Sequence, residues 1–106
     1  MITRVRWTES AERDLTAIVD YIEADRPAAA IRVASDLFAL VSSLSSNPRR
    51  GAVVPELRSQ GVSLYRQVQS RPYRVIYSIR NGVVVIEAIL DSRRNLAAIL
   101  AERLLR

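Results

Sequence analysis

Hydrophobic and polar positions are patterned most clearly over residues 73–80 and 83–90, two runs rich in β-branched and aromatic side chains separated by Asn81-Gly82. Asn-Gly tolerates the positive φ angles of a type I′ turn, whose twist suits the strands on either side, so the spacing predicts a β-hairpin. A two-residue loop also predicts its register. It sets Ile79 opposite Val84, Tyr77 opposite Ile86, Val75 opposite Ala88 and Tyr73 opposite Leu90 on one apolar face. The other face then pairs Arg80 with Val83, Ser78 with Val85, Ile76 with Glu87 and Arg74 with Ile89, mixing charge into an apolar frame.

The remaining periodicities arrange themselves around this hairpin. Residues 2–7 alternate Ile2, Arg4 and Arg6 against Thr3, Val5 and Trp7, which suits a short edge or penultimate strand. Thr8 is placed to cap a helix of about four turns whose inner face is Ala11, Leu15, Ile18 and Ile22, with Glu9 and Glu12 near the positive end of its dipole. Asp25-Arg26-Pro27 stops that helix, because the residue before proline is pushed out of the α region. A second helix follows with Ala30, Val33, Ala34, Leu37, Val41 and Leu44 inward, ending at Ser45-Ser-Asn-Pro48, so the two make an antiparallel helical hairpin. Residues 49–61 show no sustained periodicity and read as an ordered loop. Residues 62–69 then read as a strand.

A three-residue connection, Ser70-Arg71-Pro72, is expected to lead into the central hairpin and complete a meander. It would pair Gln69 with Tyr73, bring Arg66 opposite Ile76 near Glu87, and put Tyr65 beside Tyr77 on the core face. Asn95 can cap a last helix with Leu96, Ile99, Leu100 and Leu104 inward. The predicted order is βααβββα. This is an α+β fold in which an N-terminal helical hairpin packs on a small, mainly antiparallel sheet with a short C-terminal helix.

Composition narrows the functional classes. The 106 residues, 49% of them hydrophobic, suit one domain spanning 1–106. Without cysteine there can be neither disulfides nor a thiolate metal site, and the first residues lack the apolar stretch of a secretory leader, so a soluble cytoplasmic protein is expected. All 16 basic residues are arginine. Through Pro48 there are five Arg against seven Asp and Glu (−2), and beyond it eleven against four (+7), which together make the net charge of +5. The positive charge therefore lies with the sheet, where it would attract nucleic acid, an acidic protein or a nucleic-acid-handling machine. A genome rich in arginine codons would account for the number of arginines more easily than for their asymmetry.

Several short stretches, taken in order, resemble the ParE/RelE toxins of bacterial toxin–antitoxin pairs. They are Asp14-Leu15-x-x-Ile18-x-x-Tyr21-Ile22, then Asn47-Pro48-x-x-Gly51-x-x-Val54-Pro55-Glu56-Leu57, Arg66, Tyr73-Arg74-Val75-Ile76-Tyr77, and Arg93-Arg94. The resemblance runs along the whole chain and implies a type II toxin neutralised by a cognate ParD-like antitoxin. One branch of the superfamily poisons DNA gyrase, and the other cleaves mRNA in the ribosome. Many members carry a histidine at the end of the last strand, in a His-x-Arg-Arg pattern, where this chain has Asp91.

Chemistry separates the two branches. RNA cleavage needs one group to take the 2′-hydroxyl proton and another to protonate the leaving oxygen, and this chain has neither histidine nor lysine. RelE-type relatives use basic residues that include lysines, whereas arginine stabilises anions but transfers protons poorly. Catalysis would have to rest on Glu87, Glu56, Asp91 or a tyrosine. The sequence therefore favours a ParE-like, non-catalytic inhibitor of DNA gyrase over its alternative, a ribosome-dependent mRNA endoribonuclease. A third reading is a chain that has lost toxicity and acts as corepressor with its antitoxin.

The expected target-binding residues are Tyr65, Arg66, Arg71, Arg74, Arg93 and Arg94, set against a structural reading of Arg74 as an ion pair with Glu87 and of Tyr65 as core packing. Leu15, Ile18, Ile22, Leu37 and Val41 are most simply core. They are also the expected antitoxin-binding surface, for an acidic segment that folds as it binds. No cofactor or metal motif is present, no membrane contact is implied, and direct nucleic-acid binding is not expected outside the antitoxin complex.

Overall fold

The computed structural model describes residues 2–105. The elements run β1 (Val5–Trp7), α1 (Glu9–Glu23), α2 (Pro27–Ser43), β2 (Ala52–Val53), α3 (Pro55–Arg58), β3 (Arg66–Ser70), β4 (Tyr73–Arg80), β5 (Val83–Asp91) and α4 (Leu96–Leu104). The expected βααβββα order is present. Two short elements, β2 and α3, are added within residues 49–61, which the sequence read as a loop. The five strands lie in the order β1-β5-β4-β3-β2, antiparallel except for β1, which runs parallel to β5.

Local chemistry sets the helix ends. The Thr8 hydroxyl accepts from the Ala11 N–H at 3.1 Å and Asn95 Oδ1 accepts from the Ala98 N–H at 3.3 Å, each quieting one of the open donors at a helix start. Pro27 and Pro55 occupy first-turn positions of α2 and α3, where proline's missing N–H costs nothing.

Helices pack on both faces of the sheet. On one, α1 and α2 pack Ala11, Leu15, Leu37, Val41 and Leu44 against Val68, Val75, Tyr77, Val84, Ile86 and Ile89. On the other, α3 and α4 bring Leu57, Leu96 and Leu100 onto Tyr65, Ile76, Ala88 and Leu90.

The central hairpin keeps the expected register from Arg80–Val83 through Tyr77–Ile86 and then departs from it. A bulge at Glu87 leaves that residue without a partner, so the expected pairs of Ile76, Val75, Arg74 and Tyr73 are each displaced by one. They become Ile76–Ala88, Val75–Ile89, Arg74–Leu90 and Tyr73–Asp91. The cause lies outside the hairpin. The Ile89 N–H is taken by the Asp14 carboxylate of α1 at 3.0 Å, and the Glu87 carbonyl by Arg103 of α4 at 3.0 Å. The bulge is held open because two other elements satisfy the groups it frees.

The β3–β4 turn is one residue shorter than expected, with Ser70 pairing Tyr73 across Arg71-Pro72. Arg66 consequently faces Tyr77 rather than Ile76. Tyr65, expected beside Tyr77, packs instead with the α3 and α4 cluster on the opposite face.

Candidate functional site

Six expected target-binding residues divide into two groups. Tyr65, Arg66 and Arg74 are drawn into the fold. Arg74, only 16% exposed, donates to Glu56 Oε1 at 2.9 Å and Gln67 Oε1 at 2.9 Å, so its carboxylate partner is Glu56 of α3 and not Glu87 as expected. Its buried Nε has no acceptor. Arg66 donates to the Gly51 carbonyl at 2.7 Å. Tyr65 is buried, with the Arg80 guanidinium 6.0 Å from its ring centroid, within reach of a cation–π contact. Glu87 is met by Arg80 at 3.3 Å and by the Ser78 hydroxyl at 2.7 Å.

Arg71, Arg93 and Arg94 gather at one corner of the molecule, where the α1–α2 turn, the β3–β4 turn and the exit from β5 meet. Two adjoining cavities open there, of about 230 and 380 Å³, and Ile22, Arg26, Tyr73 and Arg93 line both. The first adds Arg32, Arg71 and Asp36, and the second adds Tyr21, Asp91 and Arg94. Arg26 and Arg32 were not legible as part of this site, because they sit at the start of α2 and join the others only through the tertiary fold. Guanidinium groups from three chain segments around an apolar floor of Ile22 and Val33 can grip carboxylate or phosphate in fork geometry.

Arg93 also holds Asp91. Its Nη2 lies 2.6 Å from Asp91 Oδ2, and this hydrogen bond leads the influences that keep the Asp91 carboxyl below its ordinary pKa. At Glu56, desolvation pushes the carboxyl up, but hydrogen bonds from Arg74 and the backbone, with the Arg74 charge, leave it below the ordinary value. Asp14 is paired with Arg103 at 2.8 Å. Asp36 and Tyr73, at the cavities, make no side-chain hydrogen bond among the described residues. No group of three or more His, Cys, Asp or Glu among the described residues could hold a metal ion.

The five residues expected to receive an antitoxin lie mostly inside. Leu15, Leu37 and Val41 are buried against the sheet, Ile22 is buried, and Ile18 is half-buried. The large apolar side chains left outside include Tyr21 at 84% exposure, Ile31 at 72% and Phe38 at 52%. Phe38 packs against Trp7 with ring centroids 5.6 Å apart. Among the described residues, no helix is long and apolar enough to cross a membrane.

Comparison with known proteins agrees with this architecture. The chain is 37% identical over 93 residues to Toxin RelE2 of Caulobacter vibrioides, covering 88% of this chain and 99% of that protein. Its fold is similar to a chain of the chromosomal ParDE toxin–antitoxin system from P. aeruginosa, with a TM-score of 0.70, 22% identity, and coverage of 85% of this chain and 96% of that one. It is also similar to a chain of the RelBE2 toxin–antitoxin complex from Mycobacterium tuberculosis, with a TM-score of 0.59, 23% identity, and coverage of 86% and 99%. Residues 5–96 match the model of the ParE toxin of the type II toxin–antitoxin system, parDE, and the chain belongs to that toxin family.

Proposed function

We propose that this toxin binds DNA gyrase and interferes with its supercoiling cycle by contact rather than by covalent chemistry. The observation that carries the reading is the state of the carboxylates. Asp14, Glu56, Glu87 and Asp91, the acids nearest the sheet, are each paired with an arginine. With no histidine or lysine in the chain, the arginine corner presents fixed positive charge, and the acid and phenols left beside it, Asp36, Tyr21 and Tyr73, are held by no side-chain hydrogen bond among the described residues that would poise them as a proton-transfer pair. Arg71, Arg93 and Arg94, joined by Arg26 and Arg32, would form the target surface, with Tyr21 and Tyr73 as its aromatic anchors.

The partner that neutralises the toxin is a cognate ParD-like antitoxin with an acidic segment. Its apolar residues would cover Tyr21, Ile31 and Phe38, and its charge would complement the arginines. In the cytoplasm, unopposed toxin would arrest growth, the basis of a plasmid-stabilising role.

The relationship to Toxin RelE2 favours a second reading, a ribosome-dependent mRNA endoribonuclease. In that case Asp36, Tyr21 or Tyr73 at the arginine corner would have to move the protons. The first reading is tested by titrating purified gyrase with the chain in a calorimeter. Saturable binding that is lost when Arg71 and Arg93 are both changed to Gln, and competed away by the antitoxin, supports it. Absence of binding refutes it.

A further inference from the structure

At the opposite end of the central hairpin from the arginine corner, a second basic surface is left unused by the proposed function. Arg4, just before β1, and Arg6 within it are two residues apart, so on an extended chain their side chains leave the same side of the sheet. The Val84 N–H donates to the Arg4 carbonyl at 2.9 Å, and Arg6 pairs with Val85, which carries the β1–β5 register through both arginines. Across β5, Arg80 stands on β4 opposite Val83. Together with Asn81, Val83 and Val85 these residues line a groove of about 330 Å³ containing no acidic side chain.

Two features give the groove a direction. The Arg4 and Arg6 side chains are exposed and make no ion pair or hydrogen bond among the described residues, whereas Arg80 donates through Nε to the Ser78 hydroxyl at 3.0 Å and through Nη2 to Glu87 at 3.3 Å, so the free positive charge of the groove lies on the Arg4 and Arg6 side. The rise of a strand sets Arg4 and Arg6 about 6.7 Å apart, and two strand spacings put the Arg80 bank about 9.5 Å from theirs. Between the banks lie Val83, half-buried, and Val85, buried at 3% exposure.

The geometry points to a binding site for a single nucleic-acid strand running along β5. Its successive phosphates would meet Arg4 and Arg6, and a sugar or base would rest on Val83 beside Arg80. Guanidinium forks suit phosphate oxygens. An acidic peptide added to the open edge of β1 would reach Arg4 and Arg6 but leave Arg80, two strands further in, unengaged. The inference does not depend on the identity of the toxin's target.

The test is fluorescence anisotropy of a labelled oligothymidylate with the full chain over a salt series. Changing both Arg4 and Arg6 to Gln should weaken binding and flatten the slope of log K against log[salt] by about 1.4, the amount expected for two lost phosphate contacts on a single strand. The Arg4→Lys/Arg6→Lys variant should keep the slope, and Arg13→Gln/Arg58→Gln, two exposed arginines outside both basic surfaces, should leave it unchanged. Arg80→Gln provides an independent variant on the other bank and should also weaken binding. Thermal melts followed by circular dichroism identify variants that remain folded. The proposal is overturned if the Arg4/Arg6 pair and the Arg13/Arg58 pair lower affinity equally, if neither does, or if labelled polyglutamate binds and depends on Arg4 and Arg6 while the oligonucleotide does not.

Discussion

Asp14 and Arg103, 89 residues apart in the chain, meet at the bulge of β5 and divide its freed backbone groups between them. Asp14 Oδ2 accepts from the Ile89 N–H while Arg103 Nη2 donates to the Glu87 carbonyl, and the two side chains pair at 2.8 Å. First helix, last strand and last helix are joined at one point. Asp14→Ala leaves the Ile89 N–H without its acceptor and Arg103 without its counter-charge, and should cost about 1–3 kcal/mol. Arg103→Ala should cost about 1 kcal/mol, and the double variant less than the sum, because the two residues share one network. Urea denaturation of all four proteins measures the cycle. Strict additivity would contradict the shared network.

Gly51 has no room for a side chain. A Cβ there would lie 2.5 Å from the Gln67 carbonyl oxygen and 2.7 Å from the Tyr77 hydroxyl. The hydroxyl in turn accepts from the Gly51 N–H at 3.0 Å and donates to the Pro48 carbonyl at 2.7 Å, pinning the entry of β2 to the middle of the sheet. Gly51→Ala should destabilise by about 1–3 kcal/mol through overpacking against backbone. Tyr77→Phe should cost about 1–3 kcal/mol by leaving a buried N–H unpaired. Chemical denaturation gives both values.

Stability should fall at both ends of the pH scale, for different groups. The carboxyls of Asp91 and Glu56 lie below their ordinary values in the folded chain. Their contribution is therefore present above the ordinary carboxylate range, about pH 4, and is lost as pH falls through the depressed folded values. Burial raises the Tyr77 phenol, against the opposing Gly51 hydrogen bond and the charges of Arg66, Arg50 and Arg49. Its contribution is present below about pH 10 and is lost as pH rises from there toward the raised folded value. Melting temperature against pH should show both declines. Arg74→Gln should weaken the acid one and Tyr77→Phe the alkaline one.

The exposed apolar residues separate stability from partner binding. Ile31→Ser removes a surface group outside the main core and should shift stability by less than about 1 kcal/mol, and Phe38→Ser, which also gives up the contact with Trp7, should cost about 1 kcal/mol. If the antitoxin covers this side of α2, the same changes should weaken its binding at least tenfold, about 1.4 kcal/mol. Calorimetric titration with the antitoxin checks the difference.

Local signals in the sequence carried much of the fold. Asn81 at φ 52° and Gly82 at φ 75° form the turn expected of Asn-Gly, and Thr8 and Asn95 cap their helices as read. The bulge at Glu87 was not legible, because the groups that hold it open come from α1 and α4 rather than from neighbouring residues. The β3 register turned on one residue in the Arg71-Pro72 turn, which was enough to send Tyr65 and Arg66 to opposite faces from those expected. At the arginine corner, Arg71, Arg93 and Arg94 stood out by charge, but Arg26 and Arg32 resembled ordinary solvated helix residues until the fold brought them to the same cavity. The exposed Tyr21 belongs to a recognisable motif but lies outside the inward set Ala11, Leu15, Ile18 and Ile22, and helical spacing alone gave it no place at the corner.

The most direct test of action by contact on gyrase pairs two reactions with the purified chain: gyrase-driven supercoiling of relaxed plasmid, and cell-free translation followed by mapping of mRNA ends. Supercoiling should stop while translation and mRNA remain intact, and changing Arg26, Arg32, Arg71 and Arg93 together to Gln should restore it. Cleaved mRNA beside unaffected gyrase would contradict the account, and would mean that a chain without histidine or lysine moves protons with an acid or tyrosine at the arginine corner.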